Sequence, residues 1–488
     1  MELRNLVVMS MGVLRVATVR GILRFLAVLL SMVTGIIIAR KLDPSSYALY
    51  QIVTKRVTSF SALPSTLASF WAYRYSAMGI HGVAKAHIVM VGLSSVLAFS
   101  IALLLIVSSD IVDTHLYVLA SLAACTLTFY AGLHPYAIAL RPVFSEITTF
   151  MRRCVYAALV VLLVYIYSLK ALGALTALTI SSALGIATLL YGVRRWLAES
   201  MCRRCIAEWL RGAYLPLLNW FATFLSALDV VIVLMLIGSY VVAAFFAITL
   251  ALSIVMEVSI SALQHLTAYI LRTGDVTTGL RISRLMAFAS AMLCGYAMAR
   301  PESIVALVNP IYIPSASALR IYAIGVALTL ITSPLAQTIS GTDRAKASRP
   351  GRVLIRLSIF NLIASAIYIA TLSSSLSLFR DPDPVMLWVL AFLVWRAIGL
   401  AFLLSIAGES VRVEFLKGTM PRLVLFLTLS YTLSSILARG GYELKFIHNL
   451  YLLASNVLVV AVPYIAISIA IDPELRFIVR KLLTTLYR

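Results

Sequence analysis

Long apolar segments alternate along the chain with short polar connections that are rich in Lys and Arg. About 20 consecutive apolar residues are enough for a helix to cross the hydrocarbon core of a bilayer. By this rule the pattern predicts fourteen membrane-spanning helices, and therefore an all-α polytopic membrane protein. Their predicted bounds are 17–39, 46–70, 85–108, 115–139, 150–169, 171–192, 213–237, 240–263, 284–299, 316–339, 353–372, 385–406, 421–438 and 447–470.

Composition agrees with this interpretation. Of the 488 residues, 62% are hydrophobic and only 12% are charged, with a mean hydropathy of +1.00. A soluble domain carries about 25% charged residues. The net charge of +21 would suggest nucleic-acid binding in a soluble protein. Here the charges lie between apolar spans, so we expect no nucleic-acid partner.

The distribution of basic residues predicts the topology. Every second connection holds roughly four times as many Lys and Arg as the connections on the opposite side. By the positive-inside rule, this bias places both termini in the cytoplasm and requires an even number of spans. Leu6–Leu14 is too short to span and has no clear cleavage site after it, so an interfacial helix is expected there. We expect a plasma-membrane protein.

A weak internal repeat predicts the domain organisation. The segment 38–50, IARKLDPSSYALY, has an echo in 233–245, VLMLIGSYVVAAF, six predicted helices later. Parallel repeats of this kind place a substrate site between two lobes near the bilayer midplane. The predicted parts are an interfacial segment 1–16, an N-lobe 17–192, a cytoplasmic linker 193–212, a C-lobe 213–406, two further helices within 407–470 and a basic tail 471–488.

Few charged side chains fall inside the predicted spans. Arg24 lies in the cytoplasmic third of the first helix, Lys55 and Arg56 lie near the middle of the second, and Arg396 lies in the middle of the twelfth. A cation in hydrocarbon is costly, so such residues usually face a cavity or a partner. Neighbouring helical residues point about 100° apart, so at most one of Lys55 and Arg56 can point squarely into a cavity.

Two acids lie at matching depths in the second half, Asp229 in the seventh predicted helix and Glu257 in the eighth. We predict that Lys55 or Arg56 pairs with Asp229 to close the outer side, and that Arg24 pairs with Glu257 to close the inner side. An anionic headgroup would compete with the acids for these cations. The alternative is that the ion pairs are permanent, lie within one lobe and only aid packing.

No motif predicts catalysis or a cofactor. The six histidines are scattered, no glycine-rich phosphate loop is present, and no stretch is long enough for a soluble catalytic domain. We expect neither an enzyme nor a metal site. The five cysteines do not predict a disulfide framework, and Cys202-Arg-Arg-Cys205 is a lone CxxC motif.

Three segments carry a resemblance to a known family. The first helix ends in IIIARKLDPSSYALY, which resembles the opening of Wzx-type polysaccharide flippases of the multidrug/oligosaccharidyl-lipid/polysaccharide (MOP) exporter superfamily. LSALDVVIVLMLIGSYVVAAFFAI resembles the start of their second lobe, and IVALVNPIYIPSASALRIYAIGVALTL resembles their junction of helices 9 and 10. The resemblance covers about residues 12 to 470, although Asp43 and Ala48 replace the usual glycines.

The resemblance implies a V-shaped, two-lobe bundle of twelve helices, with two C-terminal helices added. It also implies an alternating-access flippase that moves a lipid-linked oligosaccharide, carried on polyprenyl phosphate or diphosphate, from the inner to the outer leaflet. Arg24, Lys55, Arg56 and Arg396 would then bind the substrate, and Asp229 and Glu257 would serve as gating or ion-pair acids. The expected partners are the lipid-linked sugar, membrane lipids and glycan-assembly enzymes.

Two other functions are compatible with the sequence. The first is a cation-coupled multidrug or small-solute antiporter of the same superfamily. Such antiporters usually need carboxylates in the first lobe, and the first two predicted helices contain none, which favours an anionic substrate. The second is a membrane scaffold or transferase, in which the intramembrane charges could be neutralised without effect.

Overall fold

The computed structural model describes residues 2–77, 82–107, 114–263, 266–343, 351–379, 383–438, 441 and 446–486. The described residues form helices and no β-strand. The helices of the first half are α1 (Glu2–Lys41), α2 (Pro44–Gln51), α3 (Thr58–Ser61), α4 (Leu63–Ala77), α5 (Ala84–Val107), α6 (Thr114–Leu140), α7 (Pro142–Val160), α8 (Lys170–Ala198), α9 (Arg203–Arg211), α10 (Tyr214–Leu236) and α11 (Ser239–Leu263).

The helices of the second half are α12 (Leu266–Thr273), α13 (Val276–Ala299), α14 (Pro301–Val308), α15 (Ala316–Thr342), α16 (Arg352–Leu378), α17 (Pro384–Ile406), α18 (Glu409–Glu414), α19 (Met420–Leu437), α20 (Phe446–Ile471) and α21 (Pro473–Leu486). Three short π-helical segments, Ile52–Val57, Val161–Ile166 and Phe415–Thr419, continue α2, α7 and α18, and the segment Pro310–Ser315 is a 3₁₀ helix.

Twelve helices among the described residues are long and apolar enough to cross a membrane. They correspond one to one with twelve of the fourteen predicted spans. The predicted span 46–70 is divided into α2, the π-helical segment, α3 and α4, and the predicted span 240–263 corresponds to α11. The all-α, multi-pass prediction is therefore confirmed, and the predicted number of spans is close to the observed one.

The chain divides into two compact units, and unit 1 comprises Met1–Ala243 and Arg344–Ile369. Within it α6 packs on α5 and α8, and α7 packs on α1 and α8. The amphipathic helix α9 closes one end of its core, because Trp209 is buried beside Tyr75 and the Tyr75 hydroxyl donates a hydrogen bond to Glu208 Oε2 at 2.6 Å.

Unit 2 comprises Ala244–Asp343 and Ala370–Arg488. Helix α13 lies at its centre and packs on α15 and α19. The Tyr464 ring of α20 stacks on Phe288 of α13, with ring centroids 5.3 Å apart, and its hydroxyl donates to the Phe288 carbonyl at 2.7 Å. These units follow spatial contacts, whereas the predicted N-lobe, linker and C-lobe were assigned by order along the chain and stay a prediction.

The fifth predicted span starts earlier than expected. Helix α7 begins at Pro142 and continues through its π-helical segment to Ile166, whereas the predicted span has the bounds 150–169. Arg152 lies ten residues, or about 15 Å along the axis, beyond Pro142. The first half of α7 is amphipathic, and its polar residues, such as Ser145 and Glu146, obscured the helix in the hydropathy pattern.

One disulfide is present among the described residues, between Cys202 and Cys205 at the start of α9. It is a local bridge within the CxxC motif rather than a framework that joins distant elements. Cys125, Cys154 and Cys294 are free thiols.

An ion-pair network joins the last helices of unit 2. Arg284 of α13 lies 3.2 Å from Glu414 and 3.2 Å from Glu474. Arg422 of α19 forms an ion pair with Asp472, between α20 and α21, and lies 3.6 Å from Glu474. Because Asp472 is buried, this network stabilises the two helices that the resemblance treats as additions to a twelve-helix core.

We therefore predict that Arg422→Gln lowers the free energy of unfolding by about 2 kcal/mol, since it removes a charged hydrogen-bond partner from a buried carboxylate. Urea or thermal unfolding of the purified protein in detergent measures this change. The matched control is Arg204→Gln, because the Arg204 side chain is 91% exposed. Equal effects of the two substitutions would contradict a stabilising role for the network.

Candidate functional site

The buried carboxylate of Asp229 contacts two polar side chains of unit 1, and these three residues belong to what we call the polar interior of the unit. Arg56 Nη2 lies 2.7 Å from Asp229 Oδ2, and the Tyr368 hydroxyl donates to the same oxygen at 2.8 Å. Asp229 and Tyr368 are 2% and 1% exposed. Three segments that are distant in sequence, the π-helical segment after α2, α10 and α16, thus contribute one side chain each to this site.

The local structure of the second predicted span positions Arg56. Asp43 caps α2 by accepting hydrogen bonds from the Ser46 amide at 3.0 Å and the Ser46 hydroxyl at 2.8 Å, and Pro44 occupies the first turn. The helix then changes to π-helical geometry over Ile52–Val57, which includes Arg56. Single-turn π segments within α-helices are rare and occur frequently at functional sites.

Lys55 and Arg56 point in different directions, as helical geometry requires. The Lys55 side chain is exposed, whereas the Arg56 side chain is only 20% exposed and contacts Asp229. Arg56 is therefore the member of the predicted pair that the structure brings to the acid. Both residues of this ion pair belong to unit 1.

Arg24, the cation of the other predicted ion pair, has an acidic neighbour within unit 1. Arg24 of α1 lies near Glu146 of α7, with Arg24 Nη1 3.9 Å from Glu146 Oε2, and Glu146 is almost fully buried. The side chain of Glu257, the predicted partner, lies outside the described residues. The structure thus places Arg24 beside an acid that sequence analysis did not consider.

Helix α7 presents a polar face to its neighbours in unit 1. Thr149 Oγ1 forms hydrogen bonds with the Tyr130 hydroxyl and with His134 Nε2, each at 2.9 Å. The Tyr156 hydroxyl forms a short hydrogen bond with the Tyr50 hydroxyl of α2. Arg152 lies over the Tyr130 ring at 4.4 Å from its centroid.

Arg396 belongs to unit 2 and has aromatic neighbours. Its guanidinium lies 4.1 Å from the centroid of the Trp395 ring and 4.8 Å from that of Phe392. Phe392 in turn packs against Tyr322, with ring centroids 5.1 Å apart. Cation–π contacts of this kind stabilise a cation inside an apolar bundle, so Arg396 has a packing role in addition to the predicted binding role.

Sequence analysis missed Tyr368, Glu146 and Arg152. A signal existed for the last two, because Glu146, Thr149, Arg152 or Arg153, and Tyr156 recur every three or four residues on one face of α7. No comparable signal marks Tyr368, since a single Tyr within an apolar helix is common. Among the described residues, no group of three or more His, Cys, Asp or Glu residues could hold a metal ion.

The Arg56 guanidinium could bind an anion if it gave up its contact with Asp229. A guanidinium binds phosphate or carboxylate oxygens through two parallel hydrogen bonds, so a headgroup could replace the carboxylate. Tyr368 would then still donate a hydrogen bond to Asp229.

Comparison with solved structures identifies the fold. A crystal structure of MATE in complex with MaL6 matches with a TM-score of 0.59 and 13% identity, over 84% of this chain and 96% of that chain. An outward-facing multidrug resistance MATE family transporter of the MOP superfamily matches with a TM-score of 0.57 and 14% identity, over 82% and 96% of the two chains. The eukaryotic MATE transporter AtDTX14 matches with a TM-score of 0.56 and 17% identity, over 83% and 97%.

These structural similarities show that the chain has the fold of MATE transporters of the MOP superfamily. The sequence matches no protein-family model and no curated protein. The finer assignment to Wzx-type flippases therefore stays a proposal.

The Arg56–Asp229 contact predicts strong coupling between the two residues. We expect Arg56→Gln and Asp229→Asn each to lower the free energy of unfolding, because each leaves a buried charge without its partner. The double variant should lose less than the sum, with a coupling energy of about 1–3 kcal/mol. Tyr368→Phe should cost about 1 kcal/mol. Denaturant titrations in detergent give all four values, and additive effects of the charge substitutions would contradict the pairing.

Proposed function

We propose that this protein is a membrane transporter that works by alternating access. The observation that supports this proposal is its similarity to MATE transporters over 96% of a neighbour's length, together with twelve helices suited to crossing a membrane. A transporter requires no catalytic group or cofactor. The proposed location is the plasma membrane, with both termini in the cytoplasm, as the distribution of basic loop residues indicates.

For the substrate, we propose a lipid-linked oligosaccharide carried on a polyprenyl phosphate or diphosphate. The supporting observation is the charge balance of the described part of unit 1. The buried acids Asp229 and Glu146 each lie beside an arginine, and Lys55, Arg152 and Arg153 add three further positive charges on the same or neighbouring helices. An excess of positive charge at membrane depth suits an anionic headgroup.

The proposed binding step is an exchange of partners at Arg56. In the absence of substrate, the guanidinium lies on Asp229, which compensates its charge in the low-dielectric interior. A phosphate group would bind the guanidinium through two parallel hydrogen bonds and so replace Asp229. The exposed Lys55 on the same turn would add a second positive charge. The polyprenyl tail would remain in the bilayer while the headgroup crosses.

The partners of this transporter would be the lipid-linked sugar and the surrounding lipids. Its basic cytoplasmic connections suit contact with anionic headgroups. Glycan-assembly enzymes would supply the substrate on one side of the membrane and consume it on the other.

The second candidate is a cation-coupled antiporter of drugs or other small solutes. The observation that favours it is the structural similarity itself, because one of the neighbours is a multidrug resistance transporter. This similarity supports the antiporter more directly than the flippase. At 14% identity this similarity shows a shared fold and not a shared substrate, and the two experiments below distinguish the two candidate substrates.

The first experiment reconstitutes the protein into liposomes with a labelled polyprenyl-diphosphate oligosaccharide and follows the exposure of the sugar to an external probe. We expect rapid exposure with the parent protein and exposure that is about tenfold to a hundredfold slower with Lys55→Gln/Arg56→Gln, because charged hydrogen bonds to the headgroup are lost. Arg204→Gln is the control and should keep the parent rate. Exposure no faster than in empty liposomes, with folded protein, would contradict the flippase.

The second experiment measures efflux of a cationic dye from cells that express the protein. The flippase proposal predicts no efflux above that of cells without the protein. Efflux that depends on an ion gradient and is abolished by Asp229→Asn would establish the antiporter, since a carboxylate is the group that such a substrate or ion requires.

A further inference from the structure

Arg152 is the most deeply buried arginine among the described residues of unit 1. It is 5% exposed and lies about 15 Å along α7 from Pro142. The Tyr130 ring of α6 covers one face of its guanidinium. On α8, Gly185 makes room for it, because an added Cβ there would lie 2.9 Å from Arg152 Cδ and 2.8 Å from the Tyr130 ring.

The described residues contain no acid within ion-pair distance of Arg152. The nearest acid in sequence on the same helix, Glu146, lies six residues earlier, about 9 Å along the axis, and faces Arg24. The neighbouring residue Arg153 adds a second positive charge, and Arg152 Nε is buried without a hydrogen-bond partner. A buried cation that lacks a counter-charge is strongly unfavourable.

The cation–π contact with Tyr130 offsets part of this cost, by about 2 kcal/mol for a desolvated pair. Several hydroxyl groups lie on Tyr130 and on the same face of α7 as Arg152. The Tyr130 hydroxyl is hydrogen-bonded to Thr149, and the Tyr156 hydroxyl, which is hydrogen-bonded to Tyr50, belongs to the residue one helical turn after Arg152 on α7. A guanidinium among hydroxyl groups is a set of hydrogen-bond donors that suits an anion.

We propose that unit 1 holds a small inorganic anion of chloride size against the Arg152 guanidinium. We infer the small size from burial, because Arg152 is only 5% exposed and both the Tyr130 ring and Gly185 lie against its side chain. This anion would be a structural counter-ion rather than the transported substrate. The proposal therefore does not depend on which substrate the transporter carries.

The experiment measures binding of radiolabelled chloride to the purified protein in detergent, and the thermal unfolding midpoint when chloride is replaced by gluconate at constant ionic strength. We expect saturable binding of one chloride per chain, and a midpoint several degrees higher in chloride. Arg152→Gln should lose both effects. Arg204→Gln, which removes a guanidinium on a side chain that is 91% exposed, should keep both.

Arg152→Lys is the control for misfolding of Arg152→Gln, because the lysine retains the positive charge. It should still bind chloride, at least tenfold more weakly, since an ammonium lacks the planar fork of the guanidinium. The absence of saturable binding to the parent protein would overturn the proposal and leave the Tyr130 contact as the compensation. Unchanged binding to Arg152→Gln would also overturn it, and displacement of chloride by an equal concentration of phosphate would overturn the assignment to a small anion.

Discussion

The cost of a charge at membrane depth is the constraint on which the polar interior of unit 1 depends. Removing one partner of a buried ion pair costs several kcal/mol, because the other charge is left uncompensated. Asp229 meets this constraint with two donors on a single oxygen, Arg56 and Tyr368. The three helices that carry these residues are therefore linked by an electrostatic requirement in addition to their apolar packing.

The same requirement explains why regular helix geometry is interrupted at Arg56. In a π-helical turn the hydrogen bonds run from residue i to i+5, which changes the direction of the side chains that follow. The π-helical segment Ile52–Val57 lies about a third of the way along the second predicted span, and its Arg56 contacts a helix that begins at Tyr214. The interruption is placed where a cation has to reach a specific acid, and the flanking turns are α-helical.

The apolar pattern was sufficient to predict the helices, because spans of about 20 apolar residues have few alternatives in a bilayer. It placed the start of the fifth span at residue 150 instead of Pro142, because Glu146 and other polar residues lower the local hydropathy at the start of α7. The predicted contact of Arg56 with Asp229 depended only on depth within two helices, which the sequence specifies. Tyr368 and the position of Arg24 beside Glu146 depend on how helices pack, and a single sequence does not contain that information.

The charge pattern bears directly on the choice between the two transport functions. A cation-coupled antiporter needs a carboxylate that can exchange partners with a cationic substrate or ion, yet the two buried acids among the described residues of unit 1 lie beside arginines. A cation would have to displace Arg56 from Asp229, and a guanidinium cannot be neutralised by losing its proton. An anionic headgroup would instead bind Arg56, and Asp229 would keep its hydrogen bond from Tyr368. A proton could then neutralise the Asp229 carboxylate. The anionic substrate therefore requires less uncompensated charge in the described part of unit 1, even though the fold is that of MATE transporters.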